Sequence, residues 1–142
     1  MSRYQAKEVI PGLILGGLLD LEDMLKLHPD VLVPLDRLPG IVWDMGFRGE
    51  ILYCPIVDYS ILPDDVLDRL VEDILTRLEA GKRIAVFCIG GHGRTGYVAS
   101  CVLAKLGYEE PVRFVRKNYS QYAVESLPQY EAIMRFVERH KG

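Results

Sequence analysis

The chain has little of several things, and each shortage narrows what it does. Among 142 residues there are three cysteines, Cys54, Cys88 and Cys101. Their odd number and unpaired spacing argue against a disulfide scaffold and fit a reducing compartment. Acidic residues outnumber basic ones, 20 against 17, for a net charge of -3. That balance lacks the positive excess needed to neutralise a nucleic-acid backbone. No apolar run is long enough to span a bilayer. The N-terminus, MSRYQAKEVIPG, carries charges where a signal peptide needs hydrophobic residues, so the expectation is a cytoplasmic protein without membrane attachment. Repeats, linkers and low-complexity tracts are missing as well. The length suits one domain, residues 1–142, with a core built without metals or disulfides, and a monomer is expected.

What is present is an alternation of strand and helix signals. EVIPGLILGG gives two short apolar runs around Pro11 and Gly12, a small antiparallel start. LDLEDMLKL predicts a short helix capped by Asp20, and DVLVPL a buried strand. Residues 37–49 are too mixed to assign. EILYCPIV predicts a strand ending at Asp58. From Pro63 onward Val66, Leu67, Leu70, Val71, Ile74 and Leu78 recur at helical spacing, with Asp64 and Asp65 near the positive end and Gly81 past the last turn. RIAVFC is a continuous run of the kind buried in a parallel sheet, and Thr95 to Leu106 a helix closed by Gly107. Two further helices are expected, Glu109 to Lys117 and Leu127 to His140, the second with Tyr130, Ile133, Met134 and Val137 facing inward. The fold class is therefore α/β: a central, mostly parallel sheet of four to five strands flanked by helices. Ligands gather at the carboxyl ends of strands in such sheets, where both Asp58 and Cys88 are expected.

The stretch CIGGHGRTG, between strand and helix, holds more glycine than a turn requires. Successive backbone N–H groups, freed by Gly90, Gly91 and Gly93 and backed by a helix dipole, form a cradle for an anion. Arg94 at its far end offers two parallel donors to phosphate oxygens. Cys88 at its near end lies where positive surroundings favour the nucleophilic thiolate. The Thr95 hydroxyl is placed to hydrogen-bond the sulfur and help it leave. The residues thus describe a nucleophile inside a phosphate or oxyanion site.

This stretch resembles the C-x5-R-[ST] signature of protein tyrosine and dual-specificity phosphatases. IPGLILGG resembles the opening of small dual-specificity enzymes, CPIVDYSILPDD their general-acid loop, and AVESLPQYEAI the segment bearing their late glutamine. The late position of Cys88 separates the chain from low-molecular-weight tyrosine phosphatases. The resemblance implies a phosphatase working through a phosphocysteine: Cys88 attacks phosphorus, while Arg94 and the amides of Ile89, Gly90, Gly91, His92, Gly93 and Arg94 hold the equatorial oxygens. Asp58 protonates the leaving oxygen and later acts as base, with Gln129 orienting the water. No metal or cofactor is implied, because arginine and amides supply the positive charge. The implied substrate is a phosphorylated protein, with phosphotyrosine first and phosphoserine or phosphothreonine second, or a small phosphomonoester. Tyr59, beside the acid, is a candidate to stack on a phosphoaryl ring. The family usually has histidine before the cysteine; here stands Phe87, which offers no equivalent hydrogen bond, so a less acidic thiol is expected.

Simpler readings stand beside these. Cys54 and Cys101 read as small buried hydrophobes, although either is a candidate partner for an oxidised Cys88. Asp64 or Asp65 is the fallback acid, but both suit a first helical turn for the dipole alone. Ser126 to Gln129 spells a capping box. Glu125 is a candidate second carboxylate near the site, with a surface position as the favoured reading, and His92 is expected to point outward to solvent or substrate. GLILGG lacks the pattern of a nucleotide fingerprint. Two rival functions remain: a phosphatase of phosphoinositides or RNA 5′ ends, and a phosphoprotein-binding module without turnover.

Overall fold

The computed structural model describes residues 6–141. Residues 1–5, part of the N-terminal stretch considered above for a leader, lie outside them. Five strands form one sheet: β1 (Lys7–Ile10), β2 (Leu13–Gly17), β3 (Val31–Pro34), β4 (Glu50–Ile51) and β5 (Ile84–Cys88). Their order is β1-β2-β5-β3-β4. β1 and β2 are an antiparallel hairpin, and every other pairing is parallel. The α/β expectation and the mostly parallel sheet are both found.

Alternation along the strands divides the core in two. Leu13, Leu15, Val31, Val33, Ile84, Val86 and Cys88 face one side with residues of α3 (Asp64–Glu79), α4 (Gly93–Lys105), α5 (Pro111–Asn118) and α6 (Leu127–Arg139). Ile14, Leu32, Ala85 and Phe87 face the other, against α1 (Leu21–Lys26), Val42 of α2 (Ile41–Asp44) and Phe47. Every one of these strand side chains is buried, and each large one contributes about 1.5–3 kcal/mol through removal from water. α4 is buried from Gly93 through Leu103, so the element carrying the phosphate motif is the central helix of the fold. Among the described residues no helix is long and apolar enough to cross a membrane.

Several sequence expectations shift. EILYCPIV is not a strand to its end: the ladder covers Glu50–Ile51, after which single backbone bonds run from Leu52 to Leu32 and from Cys54 to Pro34. Pro34 lacks an N–H group, so β3 cannot donate in return at that place and a regular ladder does not continue between these segments. Asp58 therefore sits in a turn beyond the strand. The unassigned stretch 37–49 contains α2, anchored by buried Val42. Asp20 precedes α1, but its carboxylate accepts from Gly17 N–H at 3.3 Å instead of capping that helix. α4 begins at Gly93, two residues before Thr95. α5 starts at Pro111, whose ring suits a first helical position. On α6 the inward stripe is Gln129, Ala132, Ile133 and Phe136, leaving Tyr130 and Met134 exposed. The capping box turns the buried glutamine inward and so rotates the apolar phase by about one residue.

Candidate active site

Cys88 ends β5, paired with Gly17 of β2, and its side chain turns toward α4. Two donors meet its sulfur: Gly91 N–H at 3.2 Å and the Thr95 hydroxyl at 3.1 Å. Both donors point at the sulfur lone pairs. Gly91 has φ +81°, a conformation costly for any other residue, and a Cβ there would lie 2.8 Å from both Gly17 N and the Tyr119 hydroxyl. The loop is thus folded tightly onto the ends of β2 and α5, while Ile89 and Gly90 remain exposed at its tip. Phe87 packs on the opposite face of the sheet from Cys88, in the layer under α1 and α2.

Arg94 lies in the first turn of α4 with its side chain only 3% exposed. Its Nη1 donates to Asp36 Oδ2 at 2.6 Å and to the Ile56 carbonyl at 2.8 Å. Its Nε lies 3.6 Å from Asp58 Oδ1, is buried and makes no hydrogen bond. Burial alone would loosen the guanidinium's proton. The bond to Asp36 and the charges of Cys88 and Asp58 outweigh it, so the group stays more firmly protonated than usual. In return, the hydrogen bond from Arg94 holds the Asp36 carboxyl below the usual range, against the opposing effect of its own burial. Asp36 follows β3 by two residues, at the carboxyl end of a parallel strand. Sequence reading did not single it out, although a carboxylate at that place in the fold was the available signal.

The segment carrying Asp58 is pinned to the helices behind it. Asp58 Oδ1 accepts the Tyr59 N–H at 2.9 Å, a self-closing turn. Ser126 Oγ donates to the Tyr59 carbonyl at 2.8 Å, Gln129 Nε2 to the Ser60 carbonyl at 3.4 Å, and Leu62 N–H to the Tyr97 hydroxyl at 3.2 Å. Tyr59 itself has φ +62° and an exposed ring beside the acid. Asp64 faces α6, at 3.5 Å from Arg135 and 3.2 Å from Arg139; Asp65 is exposed in the same helical turn.

Gln129 is fully buried, and its Oε1 accepts from both Glu125 N–H (2.9 Å) and Ser126 N–H (3.2 Å). The capping box is real, Ser126 Oγ accepting from Gln129 N–H at 3.3 Å, and leaves the glutamine only its amide N–H groups to offer. His92 does not point outward: its Nδ1 lies 2.7 Å from Ser120 Oγ and its ring stands edge-on to Tyr122. Glu125 is exposed, as expected, and its carboxylate reaches the start of α4. A Cβ built on Gly93 would lie 2.5 Å from Glu125 Oε1 and 3.3 Å from Gln129 Oε1. The preceding Val124 has φ +64°, strained for a β-branched residue at a cost of about 1–3 kcal/mol. That conformation is held by Val124 N–H donating to the His92 carbonyl and by Arg116 donating to the carbonyls of Ala123 and Val124. Cys54 is half-buried and Cys101 fully buried; burial raises both thiols above the usual range.

The geometry thus gathers, at a helix start, a sulfur under two donors and a buried arginine held by one carboxylate and facing another. Comparison with known proteins agrees with that assembly. Residues 43–136 match the family described as Swiss Army Knife protein, DSP-PTPase phosphatase domain. An uncharacterized protein of Methanocaldococcus jannaschii is 39% identical over 88 residues, a match spanning 62% of this chain and 60% of that protein's length. The crystal structure of the active form of Tk-PTP is similar at TM-score 0.81 and 25% identity, over 94% of this chain and 97% of that one. PTPMT1, solved in complex with PI(5)P, shares the fold at TM-score 0.79 and 15% identity, over 95% and 96% of the two chains. With the matched segment covering most of the chain and including the whole strand, loop and helix that bear Cys88 and Arg94, the protein belongs to the DSP-PTPase family of phosphatase domains.

Proposed function

We propose that this phosphatase domain hydrolyses phosphomonoesters through a phosphocysteine, with protein phosphotyrosine as its main substrate class and phosphoserine or phosphothreonine as lesser ones. The observation that carries the reading is the pair of donors on Cys88 Sγ, at 3.2 and 3.1 Å, beside the buried Arg94. A thiolate under two hydrogen bonds and next to a fixed guanidinium is arranged to attack a phosphorus whose oxygens the arginine and loop amides hold. The P–S bond forms as the ester P–O bond breaks, and Asp58, 3.6 Å from Arg94 Nε, gives its proton to the leaving oxygen. When the P–S bond later breaks, the electron pair returns to sulfur, where the Thr95 hydroxyl and Gly91 N–H stabilise it. The exposed ring of Tyr59 beside the acid supports an aryl substrate.

The test is phosphate release from an aryl phosphate across acid to neutral pH, with chelator present. Cys88→Ser is expected to abolish turnover, and Asp58→Asn to reduce it by about 10²-fold or more. Retention of activity in Cys88→Ser would end the phosphocysteine reading. Phosphotyrosyl peptide and phosphoinositide are then compared as substrates, the second suggested by the fold shared with PTPMT1. Binding of phosphopeptide without turnover would instead identify a phosphate reader.

A further inference from the structure

The loop between Cys88 and Arg94 is gripped from two sides. On its first half, Leu18 N–H donates to the Ile89 carbonyl at 3.0 Å, and Gly17 packs so closely that a Cβ there would lie 2.9 Å from the Ile89 carbonyl oxygen. The second half is held by the chain that follows α5. The Tyr119 hydroxyl lies against Gly91. His92 meets three neighbours: its carbonyl accepts the Val124 N–H at 3.3 Å, its Nδ1 lies 2.7 Å from Ser120 Oγ, and its ring stands edge-on to Tyr122. His92 is also the residue at which loop becomes helix. It follows Gly91, whose φ is positive, and precedes Gly93, the first residue of α4. Fixing its ring therefore fixes where the amides around it point.

The hydrogen-bonding capacity of Ser120 gives that hold a direction. Ser120 is buried, and its Oγ accepts the Tyr122 N–H at 3.1 Å. Its hydroxyl proton then has His92 Nδ1 as its acceptor among the described residues. Buried hydroxyls keep their protons in hydrogen bonds, so the imidazole accepts at Nδ1 and carries its proton on Nε2.

We infer that Ser120 is a positioning residue for the phosphate cradle: by donating to His92 Nδ1 it holds the ring, and through it the backbone turn that aims the His92 and Gly93 amides at a phosphoryl group. The inference rests on the proposed use of this loop as a phosphate site. Cys88 is held separately, by the Gly91 N–H and the Thr95 hydroxyl. Loss of the Ser120 bond should thus loosen the cradle without disarming the sulfur.

Two reagents separate those effects. Orthovanadate reads the cradle, and iodoacetamide, which is neutral and needs no oxyanion site, reads the sulfur. Ser120→Ala is expected to weaken orthovanadate binding about tenfold and to lower kcat/KM for 4-nitrophenyl phosphate in proportion. Alkylation of Cys88, followed by peptide mass analysis, should keep its native rate. His92→Phe, which retains a ring and removes the acceptor, should lose as much. The double variant should lose no more than either single one, because all three lack the same bond. In the native chain, nitrogen–proton correlation by NMR should find the His92 ring proton on Nε2, a reading that needs no variant to fold. Unchanged orthovanadate affinity in Ser120→Ala, alkylation slowed in step with it, additive losses in the double variant, or a native His92 proton on Nδ1 would each overturn the inference. Failure of the native chain to bind orthovanadate would instead remove the phosphate-site reading on which it stands.

Discussion

The two sides of the cradle are built by different means. Cys88, Gly91, Arg94 and Thr95 lie within one strand-to-helix turn, so chain connectivity alone sets their separation, and the central position of α4 keeps that turn rigid. Opposite them stand Asp36, Asp58 and Glu125, each from a different loop: Asp36 and the Asp58 turn are held by hydrogen bonds across the fold, and Glu125 by a local one to Gln129. One side is therefore specified by a motif, and the other by how the sheet and helices happen to register. On the proposed mechanism, a substitution of Cys88 or Arg94 on the first side should remove a group that meets the substrate. On the second side it should leave the chemistry present and misplace it.

The sharpest way to break that contrast is Asp36→Ala. Removing it leaves the Arg94 guanidinium buried with the Ile56 carbonyl as its remaining Nη1 acceptor, free to swing from the phosphate position, and the aryl phosphatase rate should fall by about 10²-fold. Asp36→Asn adds a reading in pH. Because Arg94 holds the folded-state carboxyl below its ordinary value, the stability it contributes is fully present above the ordinary carboxylate range. That contribution drains away as pH falls through the lowered value. The gap in urea midpoint between native chain and Asp36→Asn should accordingly be constant near neutrality and shrink on acidification. A gap that did not change with pH would mean that the pair does not stabilise the folded state.

Ser126→Ala should come next in size. It removes the donor to the Tyr59 carbonyl and the cap of α6 together. The cap is worth about 0.5–2 kcal/mol, and release of the Asp58 turn should lower the rate by about tenfold for esters with poor leaving groups. For 4-nitrophenyl phosphate the loss should be smaller, and comparing the two substrates by steady-state kinetics separates a misplaced acid from a merely loosened helix. The smallest effect on rate is expected from Tyr97→Phe, which strips the acceptor from the Leu62 N–H at the far end of the same segment. There the loss should appear mainly in thermal or urea unfolding, at about 1–3 kcal/mol.

The same division explains what could be read without coordinates. The α/β class, β2, β3, β5, α3 and the phosphate turn follow from apolar periodicity and glycine placement, which are local properties of the chain. The length of β4 did not, because the β-rich composition of EILYCPIV says nothing of its partner, β3, which ends in Pro34 and there lacks an N–H group for the ladder. The phase of α6 was misjudged by about one residue because a polar side chain, Gln129, occupies the stripe that hydrophobicity would assign to Tyr130. Asp36 escaped for a related reason, and Glu125 was read chiefly as a surface residue. A carboxylate in a turn looks alike in sequence whether it meets water or an arginine, and only the strand order and the reversed backbone at Val124 distinguish the two.

Arg94 also carries a consequence for how this site meets the ions around it. Its charge is withdrawn from solvent when the chain folds, with Asp36 already in place, so the cost of dehydrating it falls on folding and not on each encounter with substrate. Dissolved salt screens exposed charges over about 8 Å at physiological ionic strength but scarcely reaches a cation sealed beneath a loop. If Arg94 holds the phosphoryl group as proposed, varying the ionic strength should act on the outer approach of the substrate far more than on the hold that follows.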